Sequence, residues 1–354
     1  MHQDNVKSSP PQDMAQHWSA ESQKEESQTL VPPIHGLTVI TCALFIVGEM
    51  AGSGVLAIPK AIANAGWTGV GLLVLCCVVS LYCGIVLGEC WKILRNKKSV
   101  YKAYPRDPYP SIGYECFGKF GKGIVEFCLL VTLFGVCVVF LLLASQNTSS
   151  IVNRKIGSFT GKAESRAWLL IMSACILPFT FLGTPKDFWF FALFATLCTS
   201  VACVLIVIKS AIDWPVSFAS VPVEAVTVDS FFAAFGTIAF SFGGATLFPS
   251  FQSDMKEPEK FPRAATLGFL IVLLMYLPTG VLPFMVYGGS LDSNVVKTIK
   301  NQGDAGSAKN IAIAAEVLIT AHLVFSFVIT INPISQQIEE YLKSPQREYY
   351  CEFL

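Results

Sequence analysis

Charge is scarce: aspartate, glutamate, lysine and arginine make up 14% of the 354 residues, against roughly 25% in a soluble domain. With 53% hydrophobic residues and a mean hydropathy of +0.55, that scarcity excludes an ordinary soluble fold. Neither sign is in excess. Lysine plus arginine and aspartate plus glutamate each total 25, so no basic surplus is left to hold a phosphate backbone, and nucleic acid is not expected as a partner. Catalytic signatures are missing too. No Gly-x-Ser-x-Gly, His-Glu-x-x-His or pair of intramembrane aspartates occurs, which argues against an enzyme and against a bound metal or other cofactor. Before Leu37 no basic patch leads into a short apolar run and a small-residue cleavage site, so a cleaved signal peptide is not expected. The twelve cysteines fall almost entirely inside apolar runs and read as small core residues rather than a disulfide framework.

What is present is a series of long apolar runs. Residues 1–36 stand apart from them, rich in Gln, Ser, Pro and charge. Such a stretch cannot bury enough apolar area to order itself, so a disordered cytoplasmic tail is expected there, and a second, short one over 336–354. Between them a transmembrane domain is expected over 37–335. A bilayer core about 30 Å thick takes about 20 mostly apolar residues per helix, and eight windows of that kind follow one another: Leu37–Pro59, Thr68–Glu89, Ile124–Gln146, Ala167–Leu182, Phe188–Ile208, Ser230–Pro249, Ala264–Tyr287 and Ile311–Pro333. The fourth is the shortest. Trp67, Trp91, Trp168, Trp189 and Trp214 fall at or just beyond span ends, where an amphipathic ring sits at headgroup level.

The basic residues between spans two and three, from Lys92 to Lys122, place that loop in the cytoplasm and with it the N terminus. Ser111–Lys122 mixes aromatic with charged residues, as a short interfacial helix does. Asn147 heads an Asn-x-Ser/Thr sequence directly against the third span.

Two of the spans are broken. Gly48-Glu-Met-Ala-Gly-Ser-Gly54 places three glycines and a carboxylate in the middle of span one. Such a stretch is tolerated at membrane depth only where protein or a water-filled cavity satisfies the freed backbone groups; a Gly48-x-x-x-Gly52 helix-packing motif is the plainer alternative. Ser241-Phe242-Gly243-Gly244 interrupts span six about as far from its start. Gly54 is followed five residues later by Pro59, and Gly244 five later by Pro249. Interrupted helices at corresponding positions of two halves point to a secondary transporter built from inverted repeats.

The run Gly52-Ser-Gly-Val-Leu-Ala-Ile-Pro59, continued by Ala63-Asn-Ala-Gly-Trp67, resembles the opening of the amino acid/auxin permease family. Tyr109–Lys119 is similar to that family's segment before the third helix, and Phe240-Ser-Phe-Gly-Gly244 to its sixth-helix break. The resemblance implies an all-α multi-pass membrane protein with the leucine-transporter-type five-plus-five inverted-repeat bundle. It implies gradient-driven transport of amino acids, small neutral ones by default, with a proton or sodium as coupling ion. Carried over by position, Gly52, Ser53 and Gly54 would meet the substrate's carboxylate or amine, and Ser241, Phe242 and Gly243 would form the facing half of the pocket, with Phe242 as a lid or a packing aromatic.

Ionisable groups inside a span are functional candidates by default. Glu49 lies in the first break, and Glu316 and His322 lie in span eight, where His322, Ser326 and Thr330 share one helix face. In the family, helices one and eight border the coupling-ion site, so Glu49 or the His322 face would carry a proton or hold sodium; a neutral histidine bonded for packing is the other reading. Lys209, near a span end, is expected to snorkel to the interface. Thr196, Thr199, Ser200 and Cys203 form a small polar stripe on span five that close packing explains.

Family members usually have eleven helices, and about eight are present here. The second repeat is therefore expected to be incomplete, and transport by this chain alone impaired. A truncated, non-transporting isoform acting as an amino-acid sensor or regulatory subunit, with a full-length homologue or accessory subunit as partner, is the alternative. Plasma membrane and endolysosomal membrane are equally compatible with the sequence.

Overall fold

Glycine and proline decide where this apolar chain bends. The computed structural model describes residues 36–98, 101, 108–156, 162–180, 189–217, 225–302 and 307–341, and these are almost entirely helical. The two expected tails therefore lie largely outside the described residues.

The first apolar run forms α1 (Val39–Met50) and α2 (Gly54–Ala65), bent by 61° at the residues between them. Pro59 sits inside α2 rather than ending the span. There follow α3 (Thr68–Lys97), α4 (Pro108–Ile156), α5 (Lys162–Thr180) and α6 (Trp189–Ser217). The sixth run gives α7 (Val228–Ser241), a 3₁₀ turn over Gly244–Leu247 and α8 (Phe248–Ser253). Next come α9 (Phe261–Tyr287), a short α10 (Val295–Gln302) and α11 (Ser307–Tyr341). Helix α4 is kinked at Phe117 and at Gly118, whose φ of 63° suits only a residue without Cβ. The kink cuts the expected interfacial helix short, so Lys119 and Lys122 begin the long helix.

Among the described residues six helical segments are long and apolar enough to cross a bilayer, and the bent α1–α2 pair makes a seventh. The fourth expected span is the shorter apolar stretch Ser165–Thr180 of α5.

Helices α1, α2 and α9 pack together at the centre, with α6, α7 and α11 around them. Their buried side chains form one cluster that includes Ile46, Val55, Ile58, Phe242, Phe248, Phe269 and Tyr276. Outward-facing positions are apolar as well: Leu75, Val78, Val79 and Tyr82 on α3, and Phe127, Val131 and Phe134 on α4, are all exposed. That pattern suits hydrocarbon as solvent and would be untenable in water.

At the Leu37 end of the bundle the backbone of Leu37 pairs in parallel with Met255. The Leu37 N–H donates to the Asp254 carbonyl at 2.7 Å, and the Lys256 N–H donates to the Leu37 carbonyl at 3.0 Å. Trp91 is fully buried there, its Nε1 donating to Ser253 Oγ at 2.8 Å. It thus ties α3 to α8 and faces into the bundle, whereas Trp67 is exposed at a helix end as expected.

The Tyr287 end carries buried charge. Lys209 does not snorkel: it is 1% exposed and pairs with Asp213 one turn on, whose carboxylate also accepts the Tyr287 hydroxyl from α9 at 2.6 Å. Helix α10 is held by Lys300, which donates to the Ser150 carbonyl on α4 at 3.1 Å and pairs with Glu316 on α11 at 3.2 Å. Asn147 is buried inside α4 and accepts from the Asn294 side chain at 3.3 Å.

Candidate functional site at the paired breaks

Helix α1 ends because Ala51 leaves the helical region, with φ −78° and ψ 48°. The Gly52 N–H then donates to the Met50 carbonyl at 2.8 Å, which closes an inverse γ-turn. Ser53 is buried and makes no side-chain cap for α2. In the second break the Phe242 and Gly243 N–H groups reach back to the Ala239 and Phe240 carbonyls at 3.2 and 3.0 Å, and the chain re-enters through the 3₁₀ turn. The Ser241 hydroxyl donates to the Thr237 carbonyl at 2.9 Å.

The two breaks touch. A Cβ built on Gly54 would lie 2.9 Å from Ser241 Cα and overlap the Ser241 hydroxyl, so only glycine allows α2 and α7 this close. One built on Gly244 would lie 2.7 Å from Met50 Cγ and 3.4 Å from Glu49 Cγ. Tyr276 of α9 joins both sides: its hydroxyl donates to the Met50 carbonyl at 2.6 Å and lies 3.0 Å from the Ser241 carbonyl. The last carbonyls of α1 and α7, which helix geometry leaves without an intrahelical partner, thereby share one donor in a fully buried position.

His322 reaches this site from α11 and has no exposure. Its Nδ1 is 3.0 Å from the Ala195 carbonyl, which can only accept, so Nδ1 carries the proton. In the neutral ring Nε2 then accepts from the Ser326 hydroxyl at 3.2 Å. Thr330 continues the face by donating to the Ser326 carbonyl at 2.8 Å. A Cβ on Gly52 would meet His322 Nε2 at 3.2 Å and the Phe140 ring of α4 at 3.3 Å, so α11 and α4 both abut the first break.

The structure therefore brings Gly52, Ser53, Gly54, Ser241, Gly243 and the His322 face into one region, with Glu49 in the last turn of α1. The Phe242 ring lies behind the break, stacked on Phe269 at 6.4 Å and against Tyr276 at 5.4 Å. Its placement is that of a packing aromatic. The polar stripe of span five packs as expected: Thr196 lies against Gly48 and its hydroxyl is 3.2 Å from the Leu44 carbonyl.

Sequence reasoning missed Tyr276, Phe140 and Ala195. A phenol in the middle of an apolar span was the available signal for Tyr276, because a buried hydroxyl needs a partner; Phe140 and Ala195 carry none.

Comparison with known proteins agrees with this architecture. A family model described as transmembrane amino acid transporter protein matches residues 35–352. The amino acid transporter AVT1E of Arabidopsis thaliana is 25% identical over 85% of this chain and 55% of its own length. Amino acid transporter ANT1 of the same plant is 24% identical over 84% of the chain and 66% of its own length. Lysine histidine transporter-like 3, also from Arabidopsis thaliana, is 24% identical over 83% and 65%. The chain spans about half to two thirds of the length of these curated relatives. With a family match over nearly its whole apolar region, the chain belongs to the transmembrane amino acid transporter family.

Proposed function

We propose that this chain moves amino acids, small neutral ones foremost, across a membrane by secondary active transport, with the paired breaks as the substrate site. The observation that carries the reading is the contact between unwound backbone from two separate spans, pinned by the Tyr276 hydroxyl. Broken helices meeting at mid-membrane supply N–H groups for a carboxylate and carbonyls for a cation. Gly52, Ser53, Gly54, Ser241, Gly243 and the backbone of Phe242 are the substrate-facing positions. Coupling to a proton or sodium gradient runs through groups that border the breaks, Glu49 or the face of His322, Ser326 and Thr330.

The same reading makes α5 an eighth crossing, orders the spans as inverted repeats of the leucine-transporter type, and sets the N terminus in the cytoplasm of a cell whose plasma or endolysosomal membrane holds the protein. Family membership and the relatives' names as amino acid transporters support it. The test is uptake of a labelled amino-acid mixture into proteoliposomes under an imposed proton or sodium gradient. Uptake that follows the gradient and vanishes with an ionophore is the expected result; gradient-independent leakage would sink the proposal.

A further inference from the structure

Glu49 differs from the paired charges of the bundle. Lys209 has Asp213, Lys300 has Glu316, and Lys92 has Glu89 and Glu259. Glu49 is half-buried and has no hydrogen-bond or ion-pair partner among the described residues. Beside it lies Gly244 of the second break, where a Cβ would stand 3.4 Å from Glu49 Cγ; neither it nor Met50 supplies a cation.

The carbonyls at the breaks are in the opposite condition. Val47 accepts from Ala51, Met50 from Gly52 and Tyr276, Ala239 from Phe242, Phe240 from Gly243, and Ser241 from Tyr276. These five carbonyls already have donors, and no group of three His, Cys, Asp or Glu side chains gathers among the described residues. A dehydrated metal ion needs about six oxygens. An ammonium group has three N–H donors and is well served by one carboxylate with lesser acceptors around it.

We infer that Glu49 is the counter-charge for the ammonium group of the substrate, so that the site takes primary amines, amino acids among them. This rests on the transport reading for the location of the site, and it moves the coupling ion to the His322 face. A molecule that keeps the ammonium and lacks the carboxylate should still occupy the site; one that keeps only the carboxylate should not.

The experiment uses the full chain in lipid nanodiscs. A hydrophobic carbodiimide is reacted with it, and modification of Glu49 is read by peptide mass spectrometry in the presence of L-alanine, ethylamine, propionate or sodium chloride at matched ionic strength. Labelling lowered severalfold by alanine and by ethylamine, and unchanged by propionate and by sodium, is the expected pattern. Protection by sodium alone, or by none of the four, overturns the inference. In parallel, ethylamine should raise the melting temperature of the wild type and of Glu49→Asp while leaving Glu49→Gln unmoved; equal shifts in all three also overturn it. Neither readout depends on transport. Amine protection without gradient-driven uptake would sink the transport reading and leave Glu49's role standing. Alanine uptake with an unchanged KM in Glu49→Gln would do the reverse.

Discussion

The hydroxyl of Tyr276 lies 2.6 Å from the carbonyl oxygen of Met50, and through that contact α9 controls the end of α1. The same oxygen reaches the Ser241 carbonyl at 3.0 Å, so a single side chain closes the ends of both interrupted helices. Burial makes the arrangement strong, because water is not at hand to replace the donor.

Tyr276→Phe removes that donor and keeps the ring. The variant should lose about 1–2 kcal/mol of stability, because the Ser241 carbonyl loses its donor while Met50 keeps the Gly52 N–H, and should slow uptake more than it raises KM. Melting in detergent and initial uptake rates check both halves; an unchanged melting temperature would show that the hydroxyl holds nothing.

Gly54→Ala inserts a methyl group where Ser241 already sits. Overpacking of this kind costs about 1–3 kcal/mol. Ser241→Gly clears the hydroxyl and Cβ that the new methyl would strike, so the double variant should recover part of the loss. A cycle of melting curves measures the coupling, and strict additivity would mean that the two residues do not meet.

Lys300 and Glu316 are buried together at the Tyr287 end, with side chains 15% and 2% exposed. Lys300→Met leaves Glu316 without a cation and should destabilise by about 3–5 kcal/mol, whereas Lys300→Met combined with Glu316→Gln should lie far closer to wild type. Thermal melting of the three proteins decides it; equal losses in the single and double variants would contradict the pairing.

Asn147 is enclosed in α4 and bonded to Asn294, so its sequence motif should carry no glycan. Endoglycosidase treatment of protein made in a glycosylating host should leave its gel mobility unchanged. A shift that Asn147→Gln abolishes would place this residue outside the helix bundle.

The broken spans were legible in the sequence because glycine, serine and a carboxylate are conspicuous where leucine is the default. Their contact was not, since the neighbour of Gly54 lies 187 positions away at Ser241 and only the folded chain brings them together. Lys209 was misread for a related reason. Its place near a span end suggested an escape to the interface, but helix periodicity brings Asp213 under it and packing brings Tyr287 from α9. Trp91 stands near a span end in the sequence, but its position along the chain did not show that the helix face it occupies turns inward toward Ser253. Helix α10 escaped notice altogether: eight residues with a narrow apolar side give too short a pattern to separate from a loop. The fourth span showed its weakness in advance, as the shortest of the eight windows.

The pairing of Leu37 with Met255 ties the start of α1 to the residues just after α8, a helix length away from the point where Tyr276 ties the end of α1 to the end of α7. Two bodies joined at one point can swing about it; joined at two, they turn only about the line through both. Any outward tilt of α1 at its first residue must therefore either carry α8 with it or break two backbone hydrogen bonds at once. The two interrupted spans are accordingly tied at both ends of α1, once at the breaks and once a helix length from them.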